Sequence, residues 1–309
     1  MLRQIATRFG TGLLVLWLAA SAAFVTIHAL PGRIEDILAG DLTYPGLRDA
    51  IAAQWGLNHS LPYQYGQFLL RLAHGDLGTS FVMQQPVAAV LVSQLWPTVQ
   101  LAGSAGLLAL ALALVAATVT AGAQDRRGEW LRRSASVVEL GFTSMPVFWL
   151  GMLLLIAFSF HFRWFPVSGG GGWRSLVLPA ITLALPTAGV LSQVMREALD
   201  AAYERPFVIT IRARGVSAFG LRARHLLRHA LLPVVTLGGW LIGGLLGGAV
   251  ITEKMFGRPG LGSITLDAVT SQDVPVVLAV VLLAAFVHVA ISTLLDVAYL
   301  FIDPRLRKS

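Results

Sequence analysis

Residues 212–233 read RARGVSAFGLRARHLLRHALLP: five arginines, two histidines and no acid. The 309-residue chain around them is 56% hydrophobic and 13% charged, far more apolar than soluble proteins are. Overlapping the end of the basic run, residues 229–252 contain no Asp, Glu, Lys or Arg. A helix rises about 1.5 Å per residue, so about 20 apolar residues cross roughly 30 Å of hydrocarbon. The run therefore abuts a membrane span, and its neighbours are read with the bilayer as solvent.

Five other stretches lack those four residue types: 9–32, 77–124, 140–162, 175–195 and 274–295. Helices are expected near 9–30, 99–123, 137–161, 177–196, 231–252 and 276–300, an all-α integral membrane protein with six spans. The start of the longest stretch, LGTSFVMQQPVAAVLVSQLWP (77–97), carries Gln, Ser and two Pro, and reads as an exposed lead-in to one span. The first run is longer than a signal-peptide core and five spans follow it, so it reads as a retained helix. Sixteen of the 23 Lys and Arg fall on the side of the membrane where the chain begins, which places both termini in the cytoplasm. That distribution explains the net charge of +7 without nucleic acid as a partner.

The chain then divides into residues 1–30 with the first span, an external segment 31–98, and a core 99–309 with five spans and a cytoplasmic loop at 197–230. The external segment offers an amphipathic helix from about Pro62 to Ala73, closed by Gly75. Residues 124–134 read as a short turn around Gly128, and SGGGGW (168–173) as a flexible connection. Pro146, Pro179 and Pro186 disturb two spans. Gly239, Gly243 and Gly247 recur every fourth residue, as do Gly244 and Gly248, giving two smooth stripes for close helix packing. Pro259, Gly260 and Gly262 suit a tight re-entrant or external turn. In the basic loop a short helix is expected over 206–214 and a turn at Gly215. Ser217 is expected to cap a second helix running to Leu232, before Pro233 enters the fifth span. By periodicity alone this surface fits a docking site and an anchor for anionic lipid equally well.

Catalytic signatures are missing. The two lysines, Lys254 and Lys308, are not preceded by Gly, so no phosphate-binding loop exists, and neither H-E-x-x-H nor G-x-S-x-G occurs. There is no Cys. His225 and His229 share a helical face, but among arginines they read as basic surface and not as metal ligands. Glu139, Asp296 and His288 are the ionisable residues within spans. The two acids are expected near the boundary, reaching water or an Arg, and His288 in hydrogen-bonded packing.

The residues that identify a family surround the basic run. YERPFVITIRARGVS (203–217), HLLRHALLPVVT (225–236) and LGGAVITEKMFGRPGLGSITLDAVTSQDVPVV (246–277) resemble the permease subunits of ABC importers of the dipeptide, oligopeptide and nickel family. So do LPGRIEDILAG (30–40), LNHSLPYQYGQFL (57–69), GDLGTSFVMQQPV (75–87) and DVAYLFIDPRLR (296–307), in the same order. The resemblance implies the type I importer permease fold in a bacterial inner membrane, importing peptides, related small solutes or metal chelates. It implies a second permease subunit, two ATP-binding subunits that carry ATP and Mg, and an external substrate-binding protein. This chain itself would be no enzyme and hold no cofactor or metal. Tyr203, Thr210, Arg212, Ala213, Arg214 and Gly215 match the family's ATPase-coupling motif, with Val216 and Ser217 following. Ile211 stands where the motif has a small residue, and Arg33 where an acid is usual. The alternative is an ion-coupled secondary transporter or channel, which would need paired acids at mid-membrane.

Overall fold

The computed structural model describes residues 2–29, 34–39, 45–80, 82–122, 126–169 and 171–302. Side chains at 2–6, 8, 34, 37–38, 54, 228–232, 235–236, 238–240, 242 and 296–302 lie outside the description. Two compact units form, one from residues 1–96, 260–300 and 304–309, the other from 97–259 and 301–303.

The first unit contains α1 (Leu2–Ala29), α2 (Ile34–Ala39), α3 (Leu47–Trp55), α4 (Leu61–Ala73) and an antiparallel pair of two-residue strands, β1 (Thr79–Ser80) and β2 (Gln85–Pro86). It also contains the start of α5 (Val87–Thr120) and, later in the chain, α12 (Leu261–Thr270) and α13 (Val274–Ile302). Pro62 sits in the first turn of α4, where its missing N–H costs nothing, and Gly75 turns left-handed (φ +75°) beyond the helix end. Phe24 and Ile27 of α1 bury with Leu47, Ile51, Trp55 and Phe68. A second core joins Val87, Val90 and Leu91 to Ile264, Ala268, Val276 and Ala279.

The second unit holds the rest of α5, then α6 (Arg126–Ser144), α7 (Val147–Leu154), a π-helical segment Leu155–His161, α8 (Arg174–Tyr203), α9 (Phe207–Ala213), α10 (Ala218–Gly220), a π-helical segment Leu221–Leu226 and α11 (Leu227–Met255). Ala109, Ala113 and Ala117 of α5 and Ala121 just beyond its end are fully buried at four-residue spacing, against a core that includes Ala184, Leu191, Met195 and Leu199 of α8. Small side chains in register bring backbones close enough for dispersion to hold helices together where lipid removes the hydrophobic drive.

Among the described residues, four helices are long and apolar enough to cross a membrane: Phe9–Ala29, Val87–Thr120, Arg174–Tyr203 and Val274–Leu295. A fifth span results if α6 and the helix after it count as one, bent by 105° at the break before Val147. The expected third span is thus broken at Pro146, which supplies no N–H and forces an extended residue before it. Residues 126–134, expected as part of a turn, are the first turns of α6. Helix α5 starts at Val87, well before the expected 99, and carries Pro97 inside it. The expected span at 231–252 lies within α11, several of whose side chains are outside the described residues.

Candidate coupling segment

The segment from Tyr203 to Leu226 is built as a short helix, a left-handed turn and a helical restart. Pro206 precedes α9 and fits its first turn. Arg214 ends α9, and Gly215 takes φ +76°, a conformation that strains any residue with a Cβ. Its N–H donates to the Arg212 carbonyl at 2.9 Å. Ser217 is extended, and its Oγ accepts from the Gly220 N–H at 3.1 Å, the expected cap. The helix it caps does not stop near Leu232. It passes through the π-helical segment into α11, with Pro233 inside that helix.

Side chains pin this segment to the end of α5. The Arg222 guanidinium donates from Nη1 to the carbonyls of Val119 (3.1 Å) and Ala121 (2.9 Å). Carbonyls at a helix C-terminus lack helical donors and carry partial negative charge, so a guanidinium there answers both. Gly122 follows with φ +63°, and its N–H donates to Asp200 Oδ1 at 2.8 Å, while Asp200 Oδ2 pairs with Arg132 at 3.0 Å. A Cβ on Gly122 would lie 2.5 Å from the Tyr203 ring, so the ring packs where only glycine fits. Arg212 stacks over the Tyr203 ring, its Cζ 5.1 Å from the ring centre.

Val208, Leu221 and Leu226 are buried in the core of the second unit, and Ile211 and Val216 pack against it. Ile211 therefore turns its extra bulk inward. Thr210, Arg212, Ala213, Arg214, Gly215 and Ser217 are exposed, flanked by the exposed apolar side chains Ile209 and Phe219. Sequence reasoning read the whole basic run as a docking or lipid-facing surface. The structure keeps Arg224 exposed and makes Arg222 a cap for α5. It also missed Gly122, Arg132 and Asp200; the one available signal was a glycine closing a long apolar run.

The remaining sequence-derived residues sit elsewhere. Glu139 is buried and ion-paired with Arg196, whose Nη1 also donates to Ser136 Oγ at 2.7 Å, so Glu139 meets an arginine as expected. His288 is exposed on α13, not packed. Among the glycines, Gly248 approaches α8 so closely that a Cβ would meet Leu183 at 2.8 Å, whereas Gly243, Gly244 and Gly247 face open space. The side chains of Arg33, Arg228, His229, Asp296 and position Gly239 lie outside the described residues.

At the end of α11 the left-handed residue is Gly257 (φ +54°). Pro259 and Gly260 follow in the turn, but Gly262 is buried inside α12 and does not belong to it. This turn is held by a buried polar cluster: Thr98 Oγ1 donates to Glu253 Oε1 at 2.6 Å, and the Arg258 N–H to the Glu253 carbonyl at 2.8 Å. Burial lowers the Arg258 pKa from its ordinary value, opposed by the nearby Glu253 charge.

Residues 109–308 match the family described as the binding-protein-dependent transport system inner membrane component. The chain belongs to that family: it is a multi-pass inner-membrane permease component, a transport subunit and not an enzyme. It is 34% identical over 315 residues, 99% of both chains, to a Brucella abortus (strain 2308) protein that bears the name of a peptide transport system permease. It is 32% identical over 292 residues, 94% of both chains, to the glutathione transport system permease protein of Escherichia coli (strain K12).

Proposed function

We propose that this chain forms half of the translocation path of an ATP-driven importer for peptides or closely related small solutes. A second permease completes the path, two ATP-binding subunits carry the nucleotide and Mg, and an external binding protein delivers the solute. The relatives' names support the peptide class, with metal chelates such as nickel complexes as a narrower possibility within the family. Both termini lie in the cytoplasm, and segments 31–98 and 253–275 face the binding protein. The open face at Gly243, Gly244 and Gly247 suits a helix of the second permease.

One observation carries the coupling role. The exposed ridge of Ile209, Thr210 and Arg212 to Gly215 is backed by buried Val208 and half-buried Ile211, and tied through Tyr203, Asp200 and Arg222 to the end of α5. A ridge so anchored moves with its helices and does not yield when pushed. ATP binding and hydrolysis shift the transporter between states only through contacts that differ between them, and this ridge is the exposed element positioned to supply such contacts.

Gly215→Pro tests the reading, since proline cannot adopt φ +76°. Uptake by cells carrying the whole transporter is expected to vanish while the variant still inserts in the membrane at normal abundance. Uptake equal to that of the unaltered chain would overturn the coupling role.

A further inference from the structure

Within the first unit, α1, α4 and α13 line an open groove of about 810 Å³. Its walls are hydrocarbon, with Leu13 and Trp17 of α1 facing Leu283 and Phe286 of α13. It shares Leu72, Leu77 and Leu282 with a niche of about 20 Å³ between α3, α4 and the start of α13. The niche has different chemistry. Trp55, 8% exposed, lines it, and its indole Nε1–H is buried with no acceptor among the described residues. Arg71 also lines it, with its guanidinium 5.0 Å from the Trp55 ring centre and the Asp76 carboxylate nearby.

We infer that this is a phospholipid site, in which an acyl chain lies between α1 and α13 and an ester or phosphate oxygen accepts the Trp55 indole N–H beside Arg71. The shape is amphipathic along its length: one donor and one cation at the α4 end, and apolar side chains from there to Gly10. A buried donor with no acceptor is costly, and the niche admits little more than one oxygen-bearing group. A helix from a second protein would bring carbonyls already used in its own hydrogen bonds, and so leave Trp55 unanswered. A water molecule in the niche would also satisfy Trp55, and in that case neither a Trp55 nor an Arg71 substitution would change lipid occupancy. Because Asp76 offsets Arg71, the glycerol-ester region and acyl chain carry recognition, and headgroup charge counts for little.

The site needs the membrane architecture but no ATP-driven coupling, so its failure and that of the proposed function are separable. The test uses the full chain in detergent, with bound lipid counted by native mass spectrometry after equilibration with phosphatidylglycerol, phosphatidylethanolamine or free palmitate. One phospholipid per chain is expected, with similar occupancy for both headgroups. Trp55→Phe and Arg71→Gln should each lower occupancy about fivefold, the affinity one hydrogen bond supports, with unchanged helical content. Equal occupancy in both variants, or palmitate retained in place of phospholipid, overturns the assignment. The chain has no cysteine, so Leu283→Cys gives a single crosslinking point. A crosslink from it to a second permease chain in the assembled transporter also overturns the assignment.

Discussion

Of α8 and α13, α13 is the more apolar, yet 17% of its most apolar stretch is buried within the chain against 61% for α8. In water the order would be reversed, since the most apolar helix would seek the core. In a bilayer the solvent is itself apolar, so Leu, Val and Phe gain nothing by turning inward, and the interior goes to small and polar side chains. Helix α8 buries Thr182, Ala184, Ala188, Gly189, Ser192 and Arg196, together with Leu191, Met195 and Leu199. Helix α13 exposes Val281, Phe286 and Leu294.

The contrast breaks most sharply at Arg196. Its side chain and that of Glu139 are 5% and 8% exposed, so Arg196→Ala strands a buried carboxylate and should cost about 3–5 kcal/mol. Thermal unfolding in detergent would register it, with Arg196→Ala combined with Glu139→Ala partly recovering. Gly189→Ala comes next. Its Cβ would meet Thr143 Oγ1 at 2.5 Å and the Glu139 carbonyl at 2.9 Å, and the backbone contact cannot swing away, so about 1–3 kcal/mol should be lost in the same assay. A third effect concerns the polar tie at the start of α13. Ser80 Oγ donates to Asp273 Oδ2 at 2.5 Å, and burial raises the Asp273 pKa, opposed by this bond and by the Val276 N–H. A carboxyl whose folded pKa is raised holds its proton more tightly when folded. Stability should thus fall as pH rises from about 4, the unfolded value, through the raised one. Asp273→Asn, which keeps an acceptor, should flatten that slope in melting curves taken from pH 4 to 7. Val281→Leu on the exposed face of α13 should change stability by less than about 0.5 kcal/mol; a larger loss would mean that this face packs against protein.

The spans were legible because bilayer thickness sets a length that residue counting detects. Their breaks were less so. Pro146 announced a disturbance, but QDRRGEWLRRS read as a turn because its charges hide a helix. That helix is supported by the Glu129–Arg133 pair four residues apart and by Arg132 reaching Asp200. In the coupling segment, Gly215 and Ser217 behave as local chemistry demands, since a left-handed turn and a helix cap are decided within four residues. The pairing of Gly122 with Asp200 and of Arg222 with Val119 joins positions 78 and 103 residues apart. No local pattern encodes such distances. Pro233 misled for a related reason: proline near a helix start reads as a boundary, whereas here the turns before it continue the helix without interruption.

That continuity has a mechanical consequence. From Ala218 to Met255 the backbone is helical without an intervening coil, roughly 57 Å at about 1.5 Å per residue. Torsion introduced at the Arg222 end meets the π-helical turns and Pro233 but no coil in which to dissipate. A few degrees of roll there would swing the glycine face and the Glu253 carboxylate through the same angle, as the bit of a drill follows its shank.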